Sequence, residues 1–186
     1  MDAAAQVRRA AFLATALLCA FPAAAADDHF FKETPDSLNG FLAARDPTYV
    51  RECGSCHFAH SPGLLPARSW VRQMERMEKH FGETVRLPAE KRDHVQRYLV
   101  ENAADRSAYA GSRTFMERVD PAAIPYRLLD VPLYREMHAI IREVIDSKPR
   151  VKVRTLTNCN GCHQGAGDGS FGLSELVVPG LTRTQR

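Results

Sequence analysis

The sequence contains no apolar run of the roughly 20 residues that a helix needs to cross a bilayer. Its one sustained apolar stretch, Ala10 to Phe21, is shorter than that. Nor is there cysteine to spare. Of five cysteines, Cys19 lies in that stretch and the other four occupy two short motifs, which leaves none for a disulfide. A strong charge of either sign is missing as well. The formal net charge is +3, and removing Arg8, Arg9 and Asp2 with the N-terminal segment lowers it by one. Near-neutral composition gives no ground for nucleic acid or a membrane surface as partner. No repeat occurs beyond the two motifs themselves.

The N-terminal residues have the plan of a cleavable secretory signal. Arg8-Arg9 form the positive region, Ala10 to Phe21 the apolar core, and Pro22 with the alanines ending at Ala26 the small-residue cleavage site. Cleavage after Ala26 is expected, leaving a soluble chain in the periplasm. A lipoprotein reading of Cys19 is weakened by Leu18, which stands where a small residue is required. The Arg8-Arg9 pair suggests twin-arginine export only faintly, because Phe12 falls one place too far along.

The remaining pattern is helical. Residues 27–45 read as a mostly extended arm, interrupted by Pro35, Asn39 and Gly40. Asp46-Pro47 supplies an N-cap and a first-turn proline, so a helix is predicted from Pro47 into Cys56-His57. Trp70, Met74, Met77 and Phe81 recur at helical spacing, predicting a second helix over 67–81 closed by Gly82. A third is predicted from Pro88 to Ala103. A connector over 105–125 holds one short helix around 114–119, and a fourth clear helix spans 132–145, with Leu133, Met137, Ile140, Ile141 and Val144 on one stripe. Lys148 to Arg154 alternates basic and apolar residues as an extended lead into the second motif, and residues 164–169 can only be a loop.

The chemistry lies in two C-x-x-C-H motifs, Cys53-Gly54-Ser55-Cys56-His57 and Cys159-Asn160-Gly161-Cys162-His163. Two cysteines at this spacing present their sulfurs to the two vinyl groups on one edge of a haem, and the histidine that follows reaches the iron. The spacing reads as c-type haem attachment. Paired cysteines of a zinc site stand about 15–20 residues apart, whereas most of the chain separates these. A redox dithiol has no need of the histidine, still less twice. The expected architecture is therefore mainly α, with two small helical cytochrome c-like lobes, each built around one covalently attached haem. Residues 46–104 form the first lobe, and 105–186 the connector and second lobe.

The sixth ligand decides what each iron can do. For the first haem the best-placed candidate is His80, at the end of the second helix on the edge of its apolar face. Met74, Met77, His94 and His29 remain open. His60, three residues beyond His57, starts on the proximal side and cannot easily reach round. For the second haem His138 is the candidate, with Met137 next and a hydrogen-bonded core histidine as the ordinary alternative.

The chain resembles the bacterial periplasmic dihaem cytochrome c proteins. The resemblance rests on Glu52 to His57, Pro62-Gly63-Leu64-Leu65-Pro66-Ala67-Arg68-Ser69-Trp70, His80-Phe81-Gly82, Asn102-Ala103-Ala104-Asp105, and Arg127 through Pro132 to His138. It implies a soluble electron carrier, not an enzyme, with two bis-histidine haems. Such carriers work with a membrane b-type cytochrome or a small monohaem cytochrome c. His80 and His138 fall on the histidines of that pattern. The sequence departs from it at His60, where a tyrosine is more familiar, and in a longer connector around 120–125.

Two imidazoles close an iron to oxygen and peroxide, and without methionine the potential is low. The expected function is electron transfer between a quinol- or b-haem-linked donor and a downstream acceptor. Docking could use Arg68, Arg72, Arg76 and Lys79, or Lys148, Arg150, Lys152 and Arg154, although a merely solvated face is the ordinary reading of such runs. The competing class is a dihaem peroxidase with one open haem, for which His94 and Glu101 would have to serve as acid–base groups.

Overall fold

The computed structural model describes residues 40–147, 153 and 155–181. The secretory segment, most of the N-terminal arm with His29, and the basic residues of the 148–154 run lie outside them. Six helices occur among the described residues: α1 Pro47–Cys53, α2 Ala67–Glu75, α3 Ala89–Glu101, α4 Ala110–Glu117, α5 Pro132–Met137 and α6 Ala139–Ser147. Short 3₁₀ turns join them, and no strand occurs among the described residues, only two isolated bridges. The mainly helical class expected from the sequence is the one observed.

Helix starts follow the sequence signals. Asp46 caps α1, its Oδ1 accepting from the Tyr49 N–H at 2.8 Å, with Pro47 in the first turn. Pro88 precedes α3, and Pro132 opens α5. Pro66 cannot cap α2 with a side chain. Asp105 does so from across the fold, accepting the Ala67 N–H at 2.8 Å and setting a carboxylate at the positive end of the helix.

Helix ends differ from the sequence reading. α1 stops at Cys53 rather than His57, because Ser55 Oγ turns back to donate to the Glu52 carbonyl and residues 54–56 run as turns. α2 stops at Glu75, and Met77–Lys79 continues as a 3₁₀ turn, which keeps a similar side-chain spacing while changing direction. The helix expected over 132–145 is two, broken at His138. The short helix in the connector spans Ala110–Glu117, earlier than expected. The loop at 164–169 folds as turns that include a 3₁₀ turn, Ala166–Asp168.

α2 packs on α3, which also receives α1, and α4 packs against α5. Trp70 is buried at their centre and donates its indole N–H to the Pro62 carbonyl at 2.8 Å. Tyr49, Leu65, Met74, Val95 and Leu99 belong to one buried cluster, against which Cys53 of the first motif packs, and the cluster continues without a gap through Phe115, Val131 and Tyr134 to Cys159 and Phe171. Arg68 is occupied structurally, holding the connector through the carbonyls of Asp120 and Ala123. It is therefore not the free docking cation read from the sequence.

Three glycines fasten the described end of the arm to the rest. The Gly111 N–H donates to the Gly40 carbonyl at 2.9 Å, and the Phe41 N–H to the Gly169 carbonyl at 3.0 Å. Gly169 adopts φ +82°, and a Cβ there would stand 2.0 Å from the Phe41 oxygen. On α4, a Cβ at Gly111 would stand 2.2 Å from the Gly40 oxygen. Glycine to alanine inside a helix ordinarily stabilises by about 1 kcal/mol. Here the sign should reverse: Gly111→Ala is expected to destabilise by about 1–3 kcal/mol through overpacking, read as a lower midpoint in thermal unfolding of the haem-loaded protein. A midpoint at or above wild type would contradict the close approach.

Candidate haem-binding sites

The first motif leaves the end of α1 with His57 half-buried. Its Nδ1 lies 2.7 Å from the Phe58 carbonyl oxygen. A carbonyl only accepts, so Nδ1 carries the proton and Nε2 keeps its lone pair for a metal. Opposite it stands His80, at the end of the Met77–Lys79 turn. The two ring centres are 6.2 Å apart, with the planes 20° from parallel.

His80 is fixed by a tight two-residue turn. His80 and Glu83 exchange N–H···O bonds of 2.9 Å in both directions, around Phe81 at φ +51° and Gly82 at φ +103°. Gly82 is thus the second residue of this turn and not the helix cap expected from the sequence. A phenylalanine in the left-handed region needs support, and it has it. The Phe81 ring packs on Tyr126 at 5.0 Å, the Arg127 guanidinium lies over its face, and Arg76 lies over Tyr126.

The second motif forms a 3₁₀ turn, Cys159–Gly161, and the His163 N–H bonds back to the Cys159 carbonyl at 2.8 Å. His138 is the residue at which α5 ends. The Tyr134 carbonyl accepts from both its backbone N–H, at 3.2 Å, and its Nδ1, at 2.8 Å. That again leaves Nε2 free. The Tyr134 ring stacks on the imidazole at 4.1 Å, and its hydroxyl donates to the Leu156 carbonyl at 2.7 Å. The His138 and His163 ring centres are 6.2 Å apart, with the planes 67° from parallel.

An imidazole nitrogen binds a metal at about 2.0–2.1 Å and lies roughly 1.1 Å from its own ring centre, so two rings flanking one ion stand about 6.3 Å apart. Both pairs have this separation. Each pair also contains a buried nitrogen with no protein hydrogen bond, His80 Nδ1 in one and His163 Nδ1 in the other. Beside the second pair is a partly open cleft lined by Cys159, Cys162, His138, His163 and the rings of Phe41, Phe115, Tyr134 and Phe171. The apolar, ring-rich lining suits a flat aromatic cofactor.

Protonation states agree. Burial, reinforced by His138 and opposed by Glu175, pushes His163 down to about 4. Burial also lowers His80, with His57 adding to it, and lowers His138 against the pull of the Tyr134 carbonyl. These rings are neutral at pH 7 and can donate a lone pair. Burial pushes the Cys53 thiol up to about 11 and Cys159 up to about 12, and raises Cys162 too. Zinc and dithiol exchange both need thiolates, which these surroundings disfavour. Among the described residues no three His, Cys, Asp or Glu side chains converge as a metal cage. The histidines instead come in two pairs, each at a separation that would admit one metal between the rings.

Other candidates lie elsewhere. Met74 is buried in the core, and Met77 packs partly buried against it. His94 is bonded to Asp46 Oδ2 at 2.8 Å and supports the cap of α1, while Glu101 is exposed at the end of α3. Met137 lines the second cavity beside His138. His60 is not opposite His57 but beside it, ring centres 5.0 Å apart. Sequence reasoning missed Phe41, because nothing in an extended arm marks which residue will wall a distant cavity.

A profile of the dihaem cytochrome c family matches residues 49–171. No curated protein matches. Among solved structures, a dihaem cytochrome c from Rhodobacter sphaeroides is 36% identical, with a TM-score of 0.58 over 70% of this chain and 99% of its own. A second structure, of DHC purified from Rhodobacter sphaeroides, is 35% identical, with a TM-score of 0.52 over 70% and 100%. The dihaem cytochrome type c of Shewanella baltica OS155 is 28% identical, with a TM-score of 0.58 over 74% and 95%.

Tyr134 holds His138 through its carbonyl and its ring, and side-chain substitutions distinguish the ring from the hydroxyl. Tyr134→Phe keeps the stack and loses only the Leu156 bond, an expected cost of about 1 kcal/mol. Tyr134→Ala removes the ring and opens the cavity wall, an expected cost of about 3–5 kcal/mol. Denaturant unfolding of the haem-loaded variants checks both, and equal losses for the two would contradict the role of the ring.

Proposed function

The chain belongs to the dihaem cytochrome c family and carries two covalently attached haem c groups, and from that premise we propose that it is a periplasmic electron carrier in which both irons are held between two histidines. Cys53 and Cys56 anchor one haem and Cys159 and Cys162 the other. His57 with His80, and His163 with His138, are the axial pairs. When bound, each haem supplies a one-electron ferric–ferrous couple. The observation that carries the reading is that each motif histidine faces a second imidazole at the separation two rings need around one metal.

The protein's own part is to hold these rings and keep water out. Carbonyls of Phe58 and Tyr134 fix the tautomers of His57 and His138, which orients the ligands and raises their basicity. The hairpin at Phe81-Gly82 and the end of α5 keep the opposite imidazoles from swinging away, so neither iron offers an open position. Potentials below those of methionine-ligated haems follow; midpoints well above zero volts at both sites would contradict the assignment. The reading extends to a membrane b-type cytochrome or quinol-linked donor and to an acceptor such as a small monohaem cytochrome c. Among the described residues no helix is long and apolar enough to cross a membrane.

The two ring torsions differ, 20° and 67°, and near-parallel and crossed imidazoles split the iron orbitals differently. Electron paramagnetic resonance of the oxidised protein is expected to show two distinct low-spin signals. His80→Met should replace one of them and His138→Met the other. A high-spin signal in the wild type, or a variant that leaves both signals unchanged, would overturn that ligand.

Arg72, Arg76 and Lys79 are exposed around the α2 end beside His80, and a partner docking there is expected to carry acidic groups. Reduction by such a partner should then slow steeply as salt is raised, because exposed charges are screened within about 10 Å at 0.1 M ionic strength. Rates independent of salt would dispose of electrostatic docking.

A further inference from the structure

We propose that His60 is a positioning residue that joins the two haem sites, its ring setting the orientation of His57 in the first and its ring nitrogen setting Cys159 in the second. The inference rests on the haem reading above. Two contacts carry it, one to each site. The His60 ring lies beside His57, centres 5.0 Å apart and planes 28° from parallel. Its Nδ1 lies 3.7 Å from Cys159 Sγ, a residue 99 positions later in the chain. Linked to haem as a thioether, the Cys159 sulfur has no proton and only accepts, so an N–H of His60 would meet it. One imidazole therefore touches an axial ligand of one site and an attachment sulfur of the other.

The ring is not free to leave this place. Its carbonyl accepts from the buried Tyr49 hydroxyl at 2.8 Å, and Tyr49 is near enough to Cys53 and Cys159 to feel both electrostatically. On the other side Ser61 is buried and caps the next turn, its Oγ accepting from the Gly63 N–H at 3.1 Å. The residue type matters because the two contacts need different properties. A flat aromatic face meets His57, and an N–H meets the sulfur. Phenylalanine offers only the first and asparagine only the second. Coupling between sites is carried by such contiguous contacts when both ends respond to one change.

The test is electron paramagnetic resonance and potentiometric titration of the two-haem protein carrying His60→Ala, His60→Phe and His60→Asn. His60→Ala is expected to shift the low-spin signals and midpoints of both sites. His60→Phe should restore the first site alone and His60→Asn the second alone. Tyr134→Phe, which alters only the second site, should leave the first signal in place. Both signals and both midpoints staying at their wild-type positions in His60→Ala would overturn the proposal. So would conversion of one site to high spin, since His60 would then be a ligand. If His60→Ala attaches fewer than two haems by mass, the Phe and Asn variants decide through their opposite patterns, and identical behaviour in those two overturns the idea. A wild type lacking two low-spin signals would instead sink the ligation reading itself.

Discussion

In the proposed ligation two imidazoles face each other across one iron, and in each site they come from segments that the chain must bring back over many residues. A deviation of an ångström at either ring would break the axial bond, so the surrounding structure is organised to stop both rings from moving. The devices differ in detail and agree in kind. His57 and His138 each give Nδ1 to a carbonyl four residues away or fewer. His80 and His138 each sit where a helical segment ends, where backbone direction changes and a side chain can be aimed across a gap instead of along a helix face.

The same requirement bears on how the interior is built. A chain of this size buries a modest apolar surface on its own, and its buried cluster runs directly into the cysteines and the aromatic walls of the second cavity. A covalently attached aromatic macrocycle fits that arrangement, because it brings apolar surface with it and cannot dissociate. Close backbone contacts at Gly40, Gly111 and Gly169 bring Phe41 against Phe115 and Phe171 at ring distances of 4.9 and 5.3 Å. The wall of the second cavity thus depends on a segment far from it in sequence.

Much of this was legible in the residues, and the limits have physical causes. The C-x-x-C-H spacing speaks directly because thioether chemistry fixes it. Prolines at 47, 88 and 132 marked helix starts, since a missing N–H is harmless there and costly elsewhere. Helix ends were harder. Apolar spacing continues through the 3₁₀ turn at 77–79, so the pattern looks like one helix where the backbone has already turned. At His138 the periodic stripe runs on unbroken, and only the double use of the Tyr134 carbonyl reveals the interruption. The lateral placement of His60, the remote capping of α2 by Asp105 and the hold of Arg68 on the connector are long-range contacts that no local window contains.

The most direct measurement of the central claim is the far-red optical spectrum of the oxidised wild-type protein, where a methionine–iron bond adds a weak charge-transfer band and an open, high-spin iron adds another. With four imidazoles on two irons, neither band should appear, and none should develop between pH 6 and pH 8. A methionine band or a high-spin band from either haem would contradict the pairing of His57 with His80 or of His163 with His138.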